Sequence, residues 1–408
     1  MLVNFKDMLI EPNQIKNILT LRYDPSHNPL LPQITWNDFF PKNSELSLEY
    51  IEKLIEDYIL EKINPNQVKT ISLALSGGVD SSLVLGFIRK TLPELTIHGI
   101  SIKFANSIDE TKIAEKIAEH FEIDHHIVYL ENYLKELPKA ISIIQSPFWD
   151  LHWYYVAKKS NTLSKYLAAG DGGDEIFGGY TFRYKKFLSL INSKSSPLEK
   201  TKAYLACHER DMVEDQEHIF GEKIHFSWNS IYDNISKYFE NSLTNLEQVF
   251  LADYNGKLMY NFSPINHKIN QYFGLTSVTP LLSSELIHYA TQLDSQKKYD
   301  DDANIGKIPL RQLLKKFNLD SLIPNEKQGF SVNTLNLWNS NGKELCKSYL
   351  SDARIVKDKW INGDWIAKHL GRNDLDVKYV NKFLGLLAFE IWYRLFITKE
   401  MNSKTSLS

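Results

Sequence analysis

Residues 76–82, Ser-Gly-Gly-Val-Asp-Ser-Ser, set two glycines, three hydroxyls and one carboxylate directly after the apolar run ISLAL. Glycines let backbone N–H groups approach an anion closely, and the N-terminus of a following helix adds partial positive charge. With Ser76, Ser81 and Ser82 as further donors, the stretch reads as a pyrophosphate cradle. Asp80 beside it would repel phosphates unless a cation intervened. Mg²⁺ is suited to that place, because it binds through one or two carboxylates plus phosphate oxygens. The spacing is neither the GxxxxGK(S/T) of a Walker A loop nor GxGxxG. Alone, the turn would also serve simply to join strand to helix, with Asp80 favouring the helix start.

A second stretch, GDGGDEIFGGY at 170–180, concentrates Asp171, Asp174 and Glu175 among glycines. Clustered carboxylates call for metal, cationic partners or raised pKa values, although an acidic, glycine-rich solvent loop needs no ligand. An anion in the cradle also calls for positive charge, and GKIPLRQLLKKFNLDSLIPNEKQGF at 306–330 supplies lysines and an arginine. His125 and His126 are adjacent on an expected strand and so point to opposite faces, which precludes a shared chelate. They and His152 read as packing or solvent-exposed residues.

The elements that must position these loops alternate. An amphipathic helix over 47–62 is followed by VKTISLAL, SSLVLGFIRKTL, ELTIHGISIKF, DETKIAEKIAEHF and DHHIVYL, a β-α-β-α-β pattern, and YLAAG is a further short strand before the acidic loop. This predicts a parallel α/β sheet with right-handed crossovers and ligands beyond the strand C-termini. Residues 1–46 are rich in Pro and Asn and read as an irregular lead-in with one short helix. Residues 47–190 read as an α/β domain that carries both loops. Residues 191–408 show mainly helical periodicity.

The 408-residue chain suits two domains, or one large α/β domain with a helical extension. Its formal charge of −3, from 47 basic and 50 acidic residues, gives no broad footprint for nucleic acid or an anionic membrane. Two cysteines, Cys207 and Cys346, form no pairing or zinc motif. The N-terminus lacks the h-region of a signal peptide, and FLGLLAFEIWYRLF is interrupted by Glu390 and Arg394, so it reads as a buried helix. A cytoplasmic location is the expectation.

SGGVDSS resembles the PP-loop of the N-type ATP pyrophosphatases, a group that holds asparagine, β-lactam, GMP and tRNA-lysidine synthetases. GDGGDEIFGGY resembles the SGxGxDExFGGY signature of asparagine synthetases, and the resemblance to that family runs from about 47 to 398. It implies a PP-loop ATP pyrophosphatase domain with a mainly helical C-terminal region. It also implies ATP and Mg²⁺ as cofactors, with Asp80 and Asp174 as metal-pyrophosphate ligands. The nucleotide would be held by Leu75, Ser76, Gly77, Gly78, Asp80, Ser81, Ser82, Ser101, Ile102, Gly170 and Gly172. Lys327 falls at the position of the catalytic lysine, in a loop of the type RxKxGF, with Lys307 and Arg311 nearby. Asp171 sits beside the acyl-adenylate as acceptor of the amine proton.

The resemblance thus implies an ATP-dependent amide ligase that adenylates a small carboxylate, aspartate first among them, and amidates it with ammonia or an amine. Two departures bear on this. The chain begins Met1-Leu2 rather than with a nucleophilic cysteine, and its lead-in is too short for a glutaminase domain, so a separate glutaminase or free ammonia is the expected nitrogen source. NHKINQYFGLTSVTPLLSSEL at 266–286 replaces the family's DRxSMAxxLExRxPFLD, so another acceptor, as in β-lactam synthetases or peptide cyclases, is the alternative. A tRNA-modifying enzyme would call for a basic face that the balanced charge does not supply, and a non-catalytic regulatory homologue would call for loss of Mg-ATP binding.

Overall fold

Strand β1 (Thr70–Ala74) is buried along nearly its whole length, as a central parallel strand covered on both faces must be. The computed structural model describes residues 11–42, 45–104, 111–323 and 333–408. Four further strands, β2 (Thr96–Phe104), β3 (Asp124–Leu130), β4 (Tyr166–Ala168) and β5 (Thr276–Val278), complete a parallel sheet in the order β3-β2-β1-β4-β5. Register is set by pairs such as Leu73 with Gly99 and Leu73 with Ala168. The chain therefore runs outward from β1 to β3, then returns to the other side of β1 with β4. This reversal sets the loops leaving β1 and β4 side by side at the C-terminal ends of their strands, where sheets of this kind place their ligands.

β5 comes from a stretch where the sequence showed only helical periodicity. Its three residues, Thr-Ser-Val, are too few to display alternation.

Helix α1 (Pro12–Leu21) starts on Pro12, and α2 (Leu48–Lys62) is capped by Ser47, whose hydroxyl accepts from the Tyr50 N–H. On α2, Ile51, Ile55 and Ile59 are fully buried at a spacing of four, the expected core stripe. α3 (Val79–Thr91) follows the glycine turn, and α4 (Thr111–His120) carries the buried Ala114, Ile117 and Ala118. α5 (Leu137–Ile144) and α6 (His152–Ser160) lead on to β4.

One hydrophobic core joins α2, α3 and β1 to the later helices Ser284–Gln292 and Ile308–Leu314. A second joins α5 and α6 to the C-terminal helix Val377–Phe396, and Ile15 and Leu19 of α1 belong to it. The described part of the lead-in is thus packed into the protein. Asn255 Nδ2 donates to Ile34 O at 2.8 Å, and Tyr254 OH donates to Pro32 O at 2.9 Å.

Helix Val377–Phe396 is buried, and the charges interrupting it are satisfied. Glu390 accepts from Arg394 Nε at 2.5 Å and from the N–H groups of Arg354 and Ile355 at 3.0 and 3.1 Å. Among the described residues no helix is long and apolar enough to cross a membrane.

Candidate active site

The turn after β1 is shaped by its own serines. Ser81 Oγ accepts from the Ser76 N–H at 3.2 Å and lies 3.0 Å from Ser76 Oγ, and Ser76 Oγ accepts from the Gly78 N–H at 3.3 Å. Gly77 has φ +73°, a left-handed conformation that L side chains rarely adopt. Ser82 is buried, and its hydroxyl has no hydrogen-bond partner among the described residues. Leu75 N–H donates to Ile100 O at 2.9 Å, and Ser101 Oγ donates to Leu75 O at 2.6 Å, tying the strand end to β2. His125 Nε2 lies 2.8 Å from the same hydroxyl, whereas His126 meets His98 at 3.4 Å. The two neighbouring rings have separate partners, as their opposite faces require. Ile102, in register with Val128, is partly buried on the same strand.

The acidic loop after β4 is pressed onto this turn. A Cβ on Gly173 would stand 2.4 Å from Asp80 Cγ, and one on Gly170 would stand 2.6 Å from Asp80 Cβ, so any side chain at either position would drive the two loops apart. Gly172 occupies the N-cap of the short helix α7 (Gly173–Ile176), which carries Asp174 in its first turn.

Lys307 closes the arrangement. Its Nζ is 2.6 Å from Asp80 Oδ2 and 2.8 Å from Asp174 Oδ1. Burial would lower its pKa, but the charges of Asp174 and Asp80 overcome that and hold it well above the usual lysine range. Gly179 makes room for it, since a Cβ there would come within 2.3 Å of Lys307 Cε, while Gly306 lets the backbone before Lys307 pass close to Gly178, whose O would lie 2.0 Å from a Cβ at 306. Sequence reasoning placed Lys307 only near the catalytic position, on the K-x-x-L-R pattern. Lys327, the position singled out there, lies outside the described residues. Arg311 donates from Nε to Gly306 O at 3.2 Å.

Asp171 stands on the other side of the loop and accepts from Asn266 Nδ2 at 3.0 Å. Burial raises its pKa, opposed by the Asn266 hydrogen bond and the charge of His152. His152 Nδ1 in turn lies 2.8 Å from Asp150 Oδ1. Burial lowers the His152 pKa, but Asp150 and Asp171 leave it raised.

Two carboxylates that converge on one cationic atom form an oxygen donor set of the kind a hard dication takes. Among the described residues no cluster of three or more His, Cys, Asp or Glu side chains could hold a metal by itself. The donor set therefore fits a Mg²⁺ ion shared with phosphate oxygens rather than one enclosed by protein.

The family model described as asparagine synthase matches residues 67–394. The chain is 22% identical over 405 residues to the glutamine-hydrolyzing asparagine synthetase 1 of Bacillus subtilis, covering 90% of this chain and 63% of that one. A glutamine-hydrolyzing asparagine synthetase homologue of Methanocaldococcus jannaschii is 33% identical over 164 residues, covering 35% of this chain and 32% of its own. The chain thus spans less than two thirds of the length of either relative. Among solved structures, the NH3-dependent NAD synthetase of Campylobacter jejuni overlaps 33% of this chain and 61% of its own, at 18% identity and a TM-score of 0.25. With the family model covering most of its length, the chain belongs to the asparagine synthase family.

Proposed function

We propose that the chain is an ATP-dependent amide ligase that forms AMP and pyrophosphate. The observation that carries this reading is the convergence of Asp80 and Asp174 on Lys307, where the loops after β1 and β4 meet, within a chain of this family. A carboxylate oxygen of the substrate attacks the α-phosphorus of ATP. The bond from that phosphorus to the bridging oxygen breaks, and pyrophosphate leaves. An amine then attacks the acyl carbon, its proton passes to Asp171, and AMP departs. In this reading Leu75, Ser76, Gly77, Gly78, Ser81, Ser82, Ser101, Ile102, Gly170 and Gly172 surround the nucleotide.

Asp80 and Asp174 hold Mg²⁺, which when bound offsets the charge of the pyrophosphate. Lys307 orients the two carboxylates, and Lys327 acts as the cation on the reacting groups. The acceptor is aspartate and the nitrogen source is ammonia, free or from a separate glutaminase. A second reading, ligation of another acid to an amine, draws support from Asn266. That residue lies in the stretch that departs from the family pattern, and it contacts Asp171 directly.

The test is pyrophosphate release from Mg-ATP across a panel of acids beginning with aspartate, with and without ammonium, while AMP and product mass are followed. Aspartate-stimulated release that yields asparagine supports the first reading, and release only with another acid supports the second. No release with any acid would overturn both.

A further inference from the structure

His152 is the first residue of α6, where the helix macrodipole presents its positive end, so an imidazolium there is disfavoured unless a neighbouring charge offsets it. Asp150 supplies that charge. Its Oδ1 lies 2.8 Å from His152 Nδ1 and accepts from Tyr133 OH at 2.7 Å, and the same tyrosine oxygen accepts from the Leu151 N–H at 2.6 Å. Tyr133 is fully buried. Hydroxyl, carboxylate and ring therefore hold one another in place, and a carboxylate on Nδ1 fixes the orientation of the imidazole.

The same end of α6 is brought to Asp171 by helix Ser263–Phe273, which packs along α6. Asn270 Oδ1 accepts from Trp153 Nε1 at 3.0 Å, and one turn earlier on that helix Asn266 Nδ2 donates to Asp171 at 3.0 Å. Charges of alternating sign run up to this point. Lys257 pairs with Asp211, Arg22 lies 3.7 Å from both Asp211 and Asp150, Asp150 holds His152, and the charges of His152 and Asp171 act on each other. The remaining charged groups nearby are directed elsewhere. Lys268 donates to Ile144 O at 2.7 Å, His267 is exposed, and beyond the acidic loop Asp174 and Asp80 share Lys307. A buried carboxyl far from any cation stays protonated and so cannot accept a proton, whereas a fixed cation beside it favours the carboxylate.

We propose that His152 is a positioning residue for the amidation step, the fixed imidazolium counter-ion that keeps Asp171 a carboxylate until the amine attacks. As the C–N bond forms and the C–O bond to AMP breaks, the amine proton passes to Asp171. His152 keeps its own protons throughout, on Nδ1 toward Asp150 and on Nε2. The role in amidation rests on the ligase reading; the pairing of the two side chains does not.

The pairing is tested without turnover, by Tm at pH 7 for the parent, His152→Gln, Asp171→Asn and the double variant. His152→Gln lowers Tm more in the parent than in the Asp171→Asn background, the mark of two side chains that interact. Equal shifts in both backgrounds overturn the proposal. Unchanged affinity of each variant for a non-hydrolysable ATP analogue reports that it is folded. The role in amidation is read from the rate of amide formation against pH. In His152→Gln the acid limb moves to higher pH by about one unit, so that the rate on the limb falls about tenfold, while the rate at higher pH is kept. His152→Lys, which restores a positive charge, returns the limb toward that of the parent and guards against misfolding of the glutamine variant. A limb that does not move, or a loss equal at every pH, overturns the role. If the parent releases no pyrophosphate with any acid, the ligase reading fails and the amidation role with it, whereas coupled Tm shifts still establish the counter-ion pair.

Discussion

Lys307 and Asp80 are 227 residues apart in sequence, yet the lysine Nζ lies 2.6 Å from Asp80 Oδ2. Asp174 shares the same amine at 2.8 Å. Both partners raise the Lys307 pKa on folding against the opposing effect of burial. The stability this contributes is fully present below the ordinary lysine value of about 10.4 and is lost as pH rises through the higher folded value. Lys307→Ala leaves two carboxylates facing each other and is expected to cost about 3 kcal/mol in denaturant unfolding at neutral pH. Added Mg²⁺ should recover part of the loss by giving the carboxylates a cation again. A variant that unfolds like the parent, or that ignores Mg²⁺, would contradict the arrangement.

Asp80→Asn and Asp174→Asn keep the side-chain size and remove the charge. Each is expected to reduce pyrophosphate release about 100-fold or more, the scale on which loss of one electrostatic contact to a transition state is felt. Near-normal release by both variants would sink the metal assignment.

Gly173→Ala would place a methyl group 2.4 Å from Asp80 Cγ. Overpacking of that kind costs about 1–3 kcal/mol and should separate the acidic loop from the cradle. The expected outcome is a lower Tm together with loss of Mg-ATP binding by calorimetry. A drop in Tm with unchanged nucleotide affinity would mean that the contact serves folding alone.

Asp171 carries a carboxyl whose pKa burial raises. Its folded value exceeds the unfolded one, so its contribution to stability is present below the ordinary carboxylate value of about 3.9 and is lost as pH rises through the folded value. Asp171→Asn should therefore raise Tm at neutral pH relative to the parent, and the difference should vanish in acid. As proton acceptor, Asp171 also predicts an acid limb in the rate profile above the usual carboxylate range. That limb should disappear in the variant along with about 100-fold of turnover.

The two loops were legible because their chemistry is local. SGGVDSS packs glycine, hydroxyl and carboxylate, and GDGGDE glycine and carboxylate, into about seven residues behind an apolar strand, and β1 to β4 follow from period and length. What stayed hidden depends on distant partners. Nothing in the sequence around Lys307 shows that Gly179 clears its path, or that Asp80 and Asp174 wait at its end. β5 is legible only as an addition to β4. The Pro- and Asn-rich lead-in looked irregular, and Arg22 gains significance only from Trp149, Asp150 and Asp211.

The strand order of the sheet also bears on how the protein is made. During synthesis the cradle after β1 emerges first and the acidic loop about ninety residues later, while Lys307, which reconciles their charges, follows only in the last quarter of the chain. A nascent chain or proteolytic fragment ending before Lys307 would hold Asp80 and Asp174 against each other with no shared cation, and one ending before Thr276 would also lack β5. Partial translation products that end before Lys307 therefore lack the cation that Asp80 and Asp174 share.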